Sequence, residues 1–458
     1  MTRRHLAFLA SVCVFAPAAP AYIRVYTSPG VFISRPDFAN VQLLLNENAV
    51  PGLRNSDGKI MITPDSDVMG AIAAAMATWN SVPTSAAHFA PIQTTPLLNA
   101  FNDGNSVLVF ADSPAIRSML GTGYLTLPIT AARGSTILDT DILFNPIYTF
   151  STTGAPNTFD LQSAVTSDLG IVLGAAHSAV VGASLYFDTQ PNETVKRILS
   201  PEDIAFVSAV YPADGPSPYG TLGGTLTLNG APLRNALISA VDTGSGAAFS
   251  AITSQVDGTW TIAVPPGNYL VFAQPLTGHV VPSNVFVGDL GAVDTNFDPT
   301  FFGGNGNQVT VPVTTGATTT ADFSASTAGT APPISIWGLT PAPPGSVLAT
   351  ATLVLDGFSQ VTPVVSGGSV DIVIQGQGID SSLTDSNIVL VGPAILRPGS
   401  VRQDQGPPFL INGVPIVNMR FTVDLPAVSA QSYVTLVVSN NGGFASYTGG
   451  LVLLPPAP

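Results

Sequence analysis

Few residues of this sequence have the types and spacing that metal chemistry needs. Of its four histidines, three lie beyond the N-terminal apolar run: His88, His177 and His279. A zinc hydrolase needs side chains that converge on one ion, an open position for water and a base that takes the water's proton. The pattern H-E-x-x-H-x-x-G-x-x-H meets that need, because two ligands on one helix face are followed by a glycine turn and a third ligand. Gly174 and His177 match the end of this pattern, so His177 is either a weak metal ligand or a hydrogen-bonded histidine.

A second group of polar residues lies on a predicted strand. Asp139 and Asp141 lie on or near the predicted strand Ile137 to Phe144. They are either calcium ligands or ordinary polar strand residues. The sequence contains no G-x-S-x-G nucleophile elbow between a strand and a helix and no phosphate-binding G-K-[ST] loop.

Helices that would position these residues are predicted in three places. From Asp67 to Trp79 apolar residues recur every three or four positions, and Asp65 or Ser66 is placed to cap that helix. Residues 159–175 predict a second helix, and residues 200–210 begin with a serine cap, a first-turn proline and two acids. Strands are predicted at 106–111, 123–129 and 137–144. The mixture predicts an α+β domain.

Several segments of this region resemble the bacterial matrixin-like metallopeptidases, which are metzincins. Residues 159–178 (FDLQSAVTSDLGIVLGAAHS) resemble the family's active-site helix, 181–186 (VGASLY) its methionine turn and 199–212 its last helix. Residues 77–80 (ATWN) and 137–145 (ILDTDILFN) resemble its first helix and a sheet strand. The likeness extends over about residues 22–212 and implies a metzincin-like fold with a mixed sheet.

The same resemblance implies that most of the zinc site has been lost. Four positions depart from the family, namely the first ligand, the base, the second ligand and the turn methionine: Ser167, Asp168, Ile171 and Leu185. Only the motif glycine and the third ligand are retained, as Gly174 and His177. Serine is a poor zinc ligand and isoleucine is none. Asp168 keeps a carboxylate, but it is one methylene shorter than glutamate and displaces the base position by about an ångström. The apolar Ile171, Val172 and Leu185 predict that the former cleft floor is packed as core.

Two all-β domains are predicted downstream. Residues 220–275 resemble a carboxypeptidase-regulatory-like β-sandwich, with Asn229-Gly230 and Asp257-Gly258 as turns and Trp260 as a core anchor. Residues 363–454 resemble an immunoglobulin-like domain of the plexin and transcription-factor type. Both resemblances imply either a spacer or a binding module. The full division of the chain is a signal peptide at 1–21, a degenerate matrixin-like domain at 22–213, linkers at 214–218 and 326–333, and β-sandwiches at 219–325 and 334–458.

Net charge and targeting signals indicate which partners and which cellular location to expect. The formal net charge is −14, which argues against nucleic acid as a partner. Residues 1–21 contain basic residues, an apolar run and an A-P-A site, so they predict a signal peptide and secretion; Cys13, the only cysteine, lies inside it. The uncharged stretch 170–187 contains His177 and glycines, which favour a buried helix and turn over a membrane anchor.

Together these observations give a leading hypothesis, a rival, and a third class, a purely structural surface protein that differs from the first only in lacking a specific ligand. The first is a secreted pseudopeptidase without zinc or another cofactor, which binds or scaffolds an extracellular protein or polysaccharide. The rival is an active secreted zinc metalloendopeptidase with a rearranged site built on His177, Asp168 and a further ligand.

Overall fold

The computed structural model is mostly β-sheet and has few helices. It describes residues 22–28, 31–98, 101–285, 291–306, 308–329, 334–346, 361–404, 409–411, 414–440 and 443–456. The predicted signal peptide, with Cys13, and positions 330–333 of the second predicted linker lie outside the described residues. The described part of the chain contains several separate sheets, so the prediction of a multidomain, β-rich protein is confirmed. None of the described helices is long and apolar enough to cross a membrane.

The N-terminal region, residues 22–213, combines helices with a five-stranded sheet. Its strands are β1 Tyr26–Ser28, β2 Val31–Phe32, β3 Leu43–Asn46, β4 Gln93–Thr95, β5 Ser106–Val109, β6 Thr126–Arg133, β7 Thr136–Phe144, β8 Phe150–Ser151 and β9 Phe159–Asp160. Its helices are α1 Val68–Asn80, α2 Pro114–Leu120, α3 Leu161–Val172 and α4 Pro201–Val210. The sheet order is β4-β3-β5-β7-β6, in which only the edge strand β6 is antiparallel to its neighbour.

The helix starts follow from local capping, with one correction. Helix α4 begins after Ser200, which forms a capping box with Asp203, as its sequence indicates. Helix α1 is capped by Asp67, whose carboxylate accepts the Gly70 N–H at 2.9 Å, and not by Asp65 or Ser66. The sequence analysis placed the cap one or two residues too early, because all three residues, two aspartates and a serine, are of types that cap helices well.

The middle region, residues 219–325, contains two five-stranded sheets that contribute to one buried apolar cluster. Its elements are β10 Gly220–Leu228, β11 Ala231–Pro232, β12 Leu237–Asp242, β13 Ala248–Ile252, β14 Thr259–Val264, β15 Gly267–Gln274, α5 Pro282–Val285, β16 Thr300–Phe301, β17 Thr310–Val313, β18 Thr318–Thr320 and β19 Phe323–Ala325. One sheet is built around β10 and the other has the order β13-β12-β15-β16. Asn229 and Gly230 both have positive φ and join β10 to β11 in the predicted turn.

The C-terminal region, residues 334–456, has two larger sheets and one two-stranded sheet. Its strands are β20 Ser335–Ala342, β21 Thr362–Val365, β22 Ser369–Gln377, β23 Ile388–Val391, β24 Ile395–Leu396, β25 Arg402–Gln403, β26 Phe409–Ile411, β27 Val414–Ile416, β28 Met419–Asp424, β29 Ser432–Asn440 and β30 Gly443–Leu454. The two larger sheets have the orders β20-β22-β28-β24 and β21-β30-β29-β23, and the two-stranded sheet is β26-β27.

Candidate functional site

Helix α3 carries three of the predicted site positions and is held at its first turn and at its middle. Its first turn is capped by Asp160, whose carboxylate accepts the Ser163 N–H at 2.8 Å and pairs with Arg197. In its second turn the Thr166 carbonyl accepts the Trp79 indole N–H at 2.9 Å, which fastens α3 to α1. The helix therefore presents its remaining side chains in a fixed orientation.

Gly174 turns the chain after α3 towards His177. Its φ is +92°, and a Cβ on this residue would lie 2.6 Å from the Ile33 carbonyl oxygen. Both features require glycine, since other residues rarely adopt this backbone conformation and would clash with the Ile33 backbone. The glycine of the predicted motif thus has a structural reason that is independent of any metal.

His177 is placed by the segment that the sequence analysis compared with a methionine turn. Its Nδ1 lies 3.3 Å from the Leu185 carbonyl oxygen, which also accepts the Ser178 N–H at 2.9 Å. Burial is the main cause that lowers the pKa of His177 to about 4; the Leu185 hydrogen bond opposes this shift and the positive charge of Lys196 adds to it, so the imidazole is neutral at pH 7. A neutral ring oriented through Nδ1 is the form in which histidine binds a metal through Nε2. His177, the predicted third ligand, is therefore oriented in the way that metal binding through Nε2 would need.

The other two ligand positions offer no comparable donor. Ser167 and Ile171 are 8% and 6% exposed, and Ile171 belongs to the same buried apolar cluster as Val172 and Leu185. A Cβ added to Gly170 would lie 2.5 Å from Leu185 Cδ2, so the leucine packs directly on α3. Ile171, Val172 and Leu185 therefore lie in one buried apolar cluster, as their residue types predicted.

Asp168, the predicted base position, is buried against the edge strand β6. The Thr126 hydroxyl of β6 donates a hydrogen bond to Asp168 Oδ1 at 3.0 Å, while Oδ2 is buried without a hydrogen-bond partner. Burial raises the pKa of Asp168 to about 8, and the Thr126 hydrogen bond only partly offsets this effect. At neutral pH the carboxyl is mostly protonated, and a protonated acid cannot take a proton from water.

The zinc ion implied by the family resemblance does not fit this set of residues. The donor set consists of one oriented imidazole, a buried serine and an isoleucine, whereas a catalytic zinc needs three protein ligands. In the part of the chain that the structure describes, no group of three or more His, Cys, Asp or Glu side chains could hold a metal ion. His88 and His279 lie elsewhere, beside β4 and in the middle region, and do not complete the site.

Asp139 and Asp141 are both buried on β7, and each binds backbone of the segment that enters β5. Asp139 Oδ2 accepts the Gly104 N–H at 2.8 Å, and Asp141 Oδ1 accepts the Val107 N–H at 2.9 Å. The two carboxylates thus satisfy backbone N–H groups at the start of β5 and stabilise the sheet there.

Two buried charged residues were missed by the sequence analysis. Glu202 is 4% exposed; its Oε1 accepts the N–H and the hydroxyl of Ser250, both at 2.6 Å, and its Oε2 accepts the Ser178 hydroxyl. The sequence marked Glu202 only as a first-turn acid of α4. Its partner Ser250 lies 48 residues away in β13, and no local spacing connects them.

The second missed residue is Lys196, which is 1% exposed and closes the loop after His177. Its ammonium group donates to the carbonyl oxygens of Tyr186 and Asp188 and to the Thr189 hydroxyl, and lies 3.7 Å from Glu193. The Lys196 ammonium group therefore holds residues 186–193 together through three hydrogen bonds and one ion pair.

Replacing Lys196 with methionine is expected to destabilise the chain by about 3–5 kcal/mol. The apolar stem would be kept, but the buried Tyr186 carbonyl, the partly buried Asp188 carbonyl and the Glu193 carboxyl would lose their cation. Urea unfolding of both proteins measures the difference. The exposed Lys59, whose ammonium group donates to a single carbonyl, supplies the control: Lys59→Met is expected to change stability by less than about 0.5 kcal/mol. Equal effects of the two substitutions would contradict the role given to Lys196.

Comparisons with known proteins leave the family open. No family model matches the chain, and no curated protein matches it. Among solved structures, the Bacillus anthracis TIE protein aligns at 10% identity over 52% of this chain and 33% of its own, with a TM-score of 0.16. A putative carbohydrate-binding protein from Bacteroides uniformis aligns at 12% identity over 51% of this chain and 96% of its own, with a TM-score of 0.16. The titin domains Z1Z2, solved in complex with telethonin, align at 12% identity over 52% and 94%, with a TM-score of 0.14. Likenesses this weak carry no argument about fold or function.

Proposed function

We propose that this chain is a secreted, matrixin-like pseudopeptidase that acts outside the cell by binding or scaffolding. The observation that carries the proposal is the state of the three ligand positions: one keeps an oriented imidazole, and the other two hold a buried serine and a core isoleucine. The protonated Asp168 at the base position supports the same conclusion. The mixed sheet with its antiparallel edge strand β6, against which α3 packs, is consistent with the fold that the resemblance implies.

The rival, an active zinc metalloendopeptidase with a rearranged site, meets an electrostatic obstacle. Any such site has to be built on His177, and the charge of the buried Lys196 acts on that ring. The same positive charge disfavours a divalent cation bound at His177 Nε2. A rearranged site would therefore need at least two further anionic or imidazole ligands to offset it.

The metal content of the purified chain, residues 22–458, tests the proposal. After dialysis against trace zinc, mass spectrometry is expected to find less than about one zinc ion per ten chains, because a single imidazole holds zinc weakly. A His177→Ala variant serves as the matched control and is expected to give the same low value. About one zinc per wild-type chain, lost in the His177→Ala variant, would contradict the proposal and would call for peptidase assays.

A further inference from the structure

The turn that follows His177 touches both downstream regions of the chain. The docking turn, defined as residues 180–183, donates the Val181 N–H to the Thr448 carbonyl oxygen of β30 at 2.9 Å. A Cβ on Gly182 would lie 2.3 Å from the Gly449 carbonyl oxygen and 2.9 Å from the Tyr433 ring. The turn and the C-terminal region are therefore in backbone contact, with no room for a side chain between them.

The same turn contributes to an apolar cluster that all three regions share. Val180 and Ala183 of the turn are buried together with residues of both downstream regions, including Phe272, Phe301, Val437 and Phe444. The Phe301 and Phe444 rings, from the middle and the C-terminal region, stack with their centroids 4.3 Å apart. A hydrophobic cluster normally belongs to one domain, so this shared cluster shows that each region buries part of its apolar surface against the other two.

Glu202 makes a second connection at the base of the turn. Its carboxyl group is shared between Ser178, which precedes the docking turn, and Ser250 of the middle region. A buried carboxyl group is tolerated only where its oxygens are hydrogen-bonded, and here the donors come from two regions. Separating the N-terminal and middle regions would break the two hydrogen bonds between Glu202 and Ser250.

The middle and C-terminal regions also meet directly through glycines. A Cβ on Gly246 would lie 1.8 Å from the Tyr433 carbonyl oxygen and 3.1 Å from the Gly392 Cα. Both glycines have positive φ, so their backbones approach in conformations that other residues rarely adopt. Close backbone packing of this kind requires one defined arrangement of the two regions. A hinge movement between them would break the contact.

We infer that the docking turn is an intramolecular docking surface whose partners are the chain's own middle and C-terminal regions, and that the three regions unfold as one cooperative unit. The segment next to His177 thereby joins the regions instead of lining an open cleft. The inference does not rest on the proposed function, since the contacts of residues 180–183 are the same whether or not His177 holds a metal.

Gly182→Val in the chain 22–458 tests the inference. Gly123 supplies the matched control, because a Cβ there would meet nothing within 4 Å and, like Gly182, it lacks a positive φ. The parent and Gly123→Val are expected to unfold in one calorimetric transition. Gly182→Val is expected to show separate transitions and about tenfold faster proteolysis between the regions, since the docking contact is lost.

Hydrogen exchange of the Val181 amide in the unmodified chain gives a second, variant-free measurement. The inference predicts that this amide exchanges only through global unfolding, as slowly as the buried amides of the interior strand β7. Exchange at least about a hundredfold faster than in β7 would overturn it. So would two transitions in the parent chain, or a Gly182→Val variant that behaves like Gly123→Val.

Discussion

A chain that carries Ser167→His and Ile171→His together is expected to bind about one zinc ion, although the parent holds almost none. Positions 167 and 171 are four residues apart on α3 and share one face of that helix. His177 is already oriented by the Leu185 carbonyl, which leaves its Nε2 free to bind the ion. Zinc content, and the visible absorption of the cobalt-substituted protein, which reports tetrahedral coordination, measure the result.

The double variant has a structural cost that its control must separate from metal binding. Ile171 is part of the core, so an imidazole there is expected to destabilise the metal-free chain by about 1–3 kcal/mol. Circular dichroism without metal shows whether the variant still folds, and adding His177→Ala to it is expected to abolish the zinc. A folded double variant that binds no zinc would mean that α3 and His177 do not face a common point, and the matrixin-like interpretation would then be wrong.

The sequence alone predicted the elements whose signals are local. Helix α3 was expected over residues 159–175 and runs from Leu161 to Val172, because the scarcity of glycine and proline that predicted it is a local property of the sequence. The seven-residue α2 was not predicted, since so short a helix has too few turns to show a period. Its only signals are the cap at Ser113 and the first-turn proline.

The properties of the candidate site that depend on tertiary contacts could not be predicted from neighbouring residues in the sequence. Residue types alone indicated that positions 167 and 171 had lost their ligands. They did not indicate that Asp168 is buried under Thr126, because that contact joins α3 to the edge strand 42 residues earlier. Glu202 likewise looked like an ordinary helix-start acid until Ser250 was placed beside it. Burial, which decides whether a carboxyl group is charged, is a property of the packed molecule.

Asp168→Asn is expected to change the pH dependence of stability. The pKa of Asp168 is raised from 3.8 to about 8 by burial, so the folded chain holds a proton that the unfolded chain releases above about pH 4. The parent therefore has the full stabilisation below about pH 4 and loses it progressively as the pH rises to about 8. Asparagine carries no ionisable proton, so the stability of the variant relative to the parent should rise by up to about 5 kcal/mol between pH 4 and pH 9. Urea unfolding at several pH values measures this difference.

Asp214→Asn, in the exposed linker, is the matched control and should differ from the parent by less than about 0.5 kcal/mol at every pH. A constant difference between Asp168→Asn and the parent would mean that Asp168 is already ionised at pH 4 and above. An ionised carboxylate at the base position could accept a proton from water, and the enzymatic alternative would then regain its base. The same titration therefore tests both the burial of this side chain and the principal reason, apart from the missing ligands, for regarding the site as inactive.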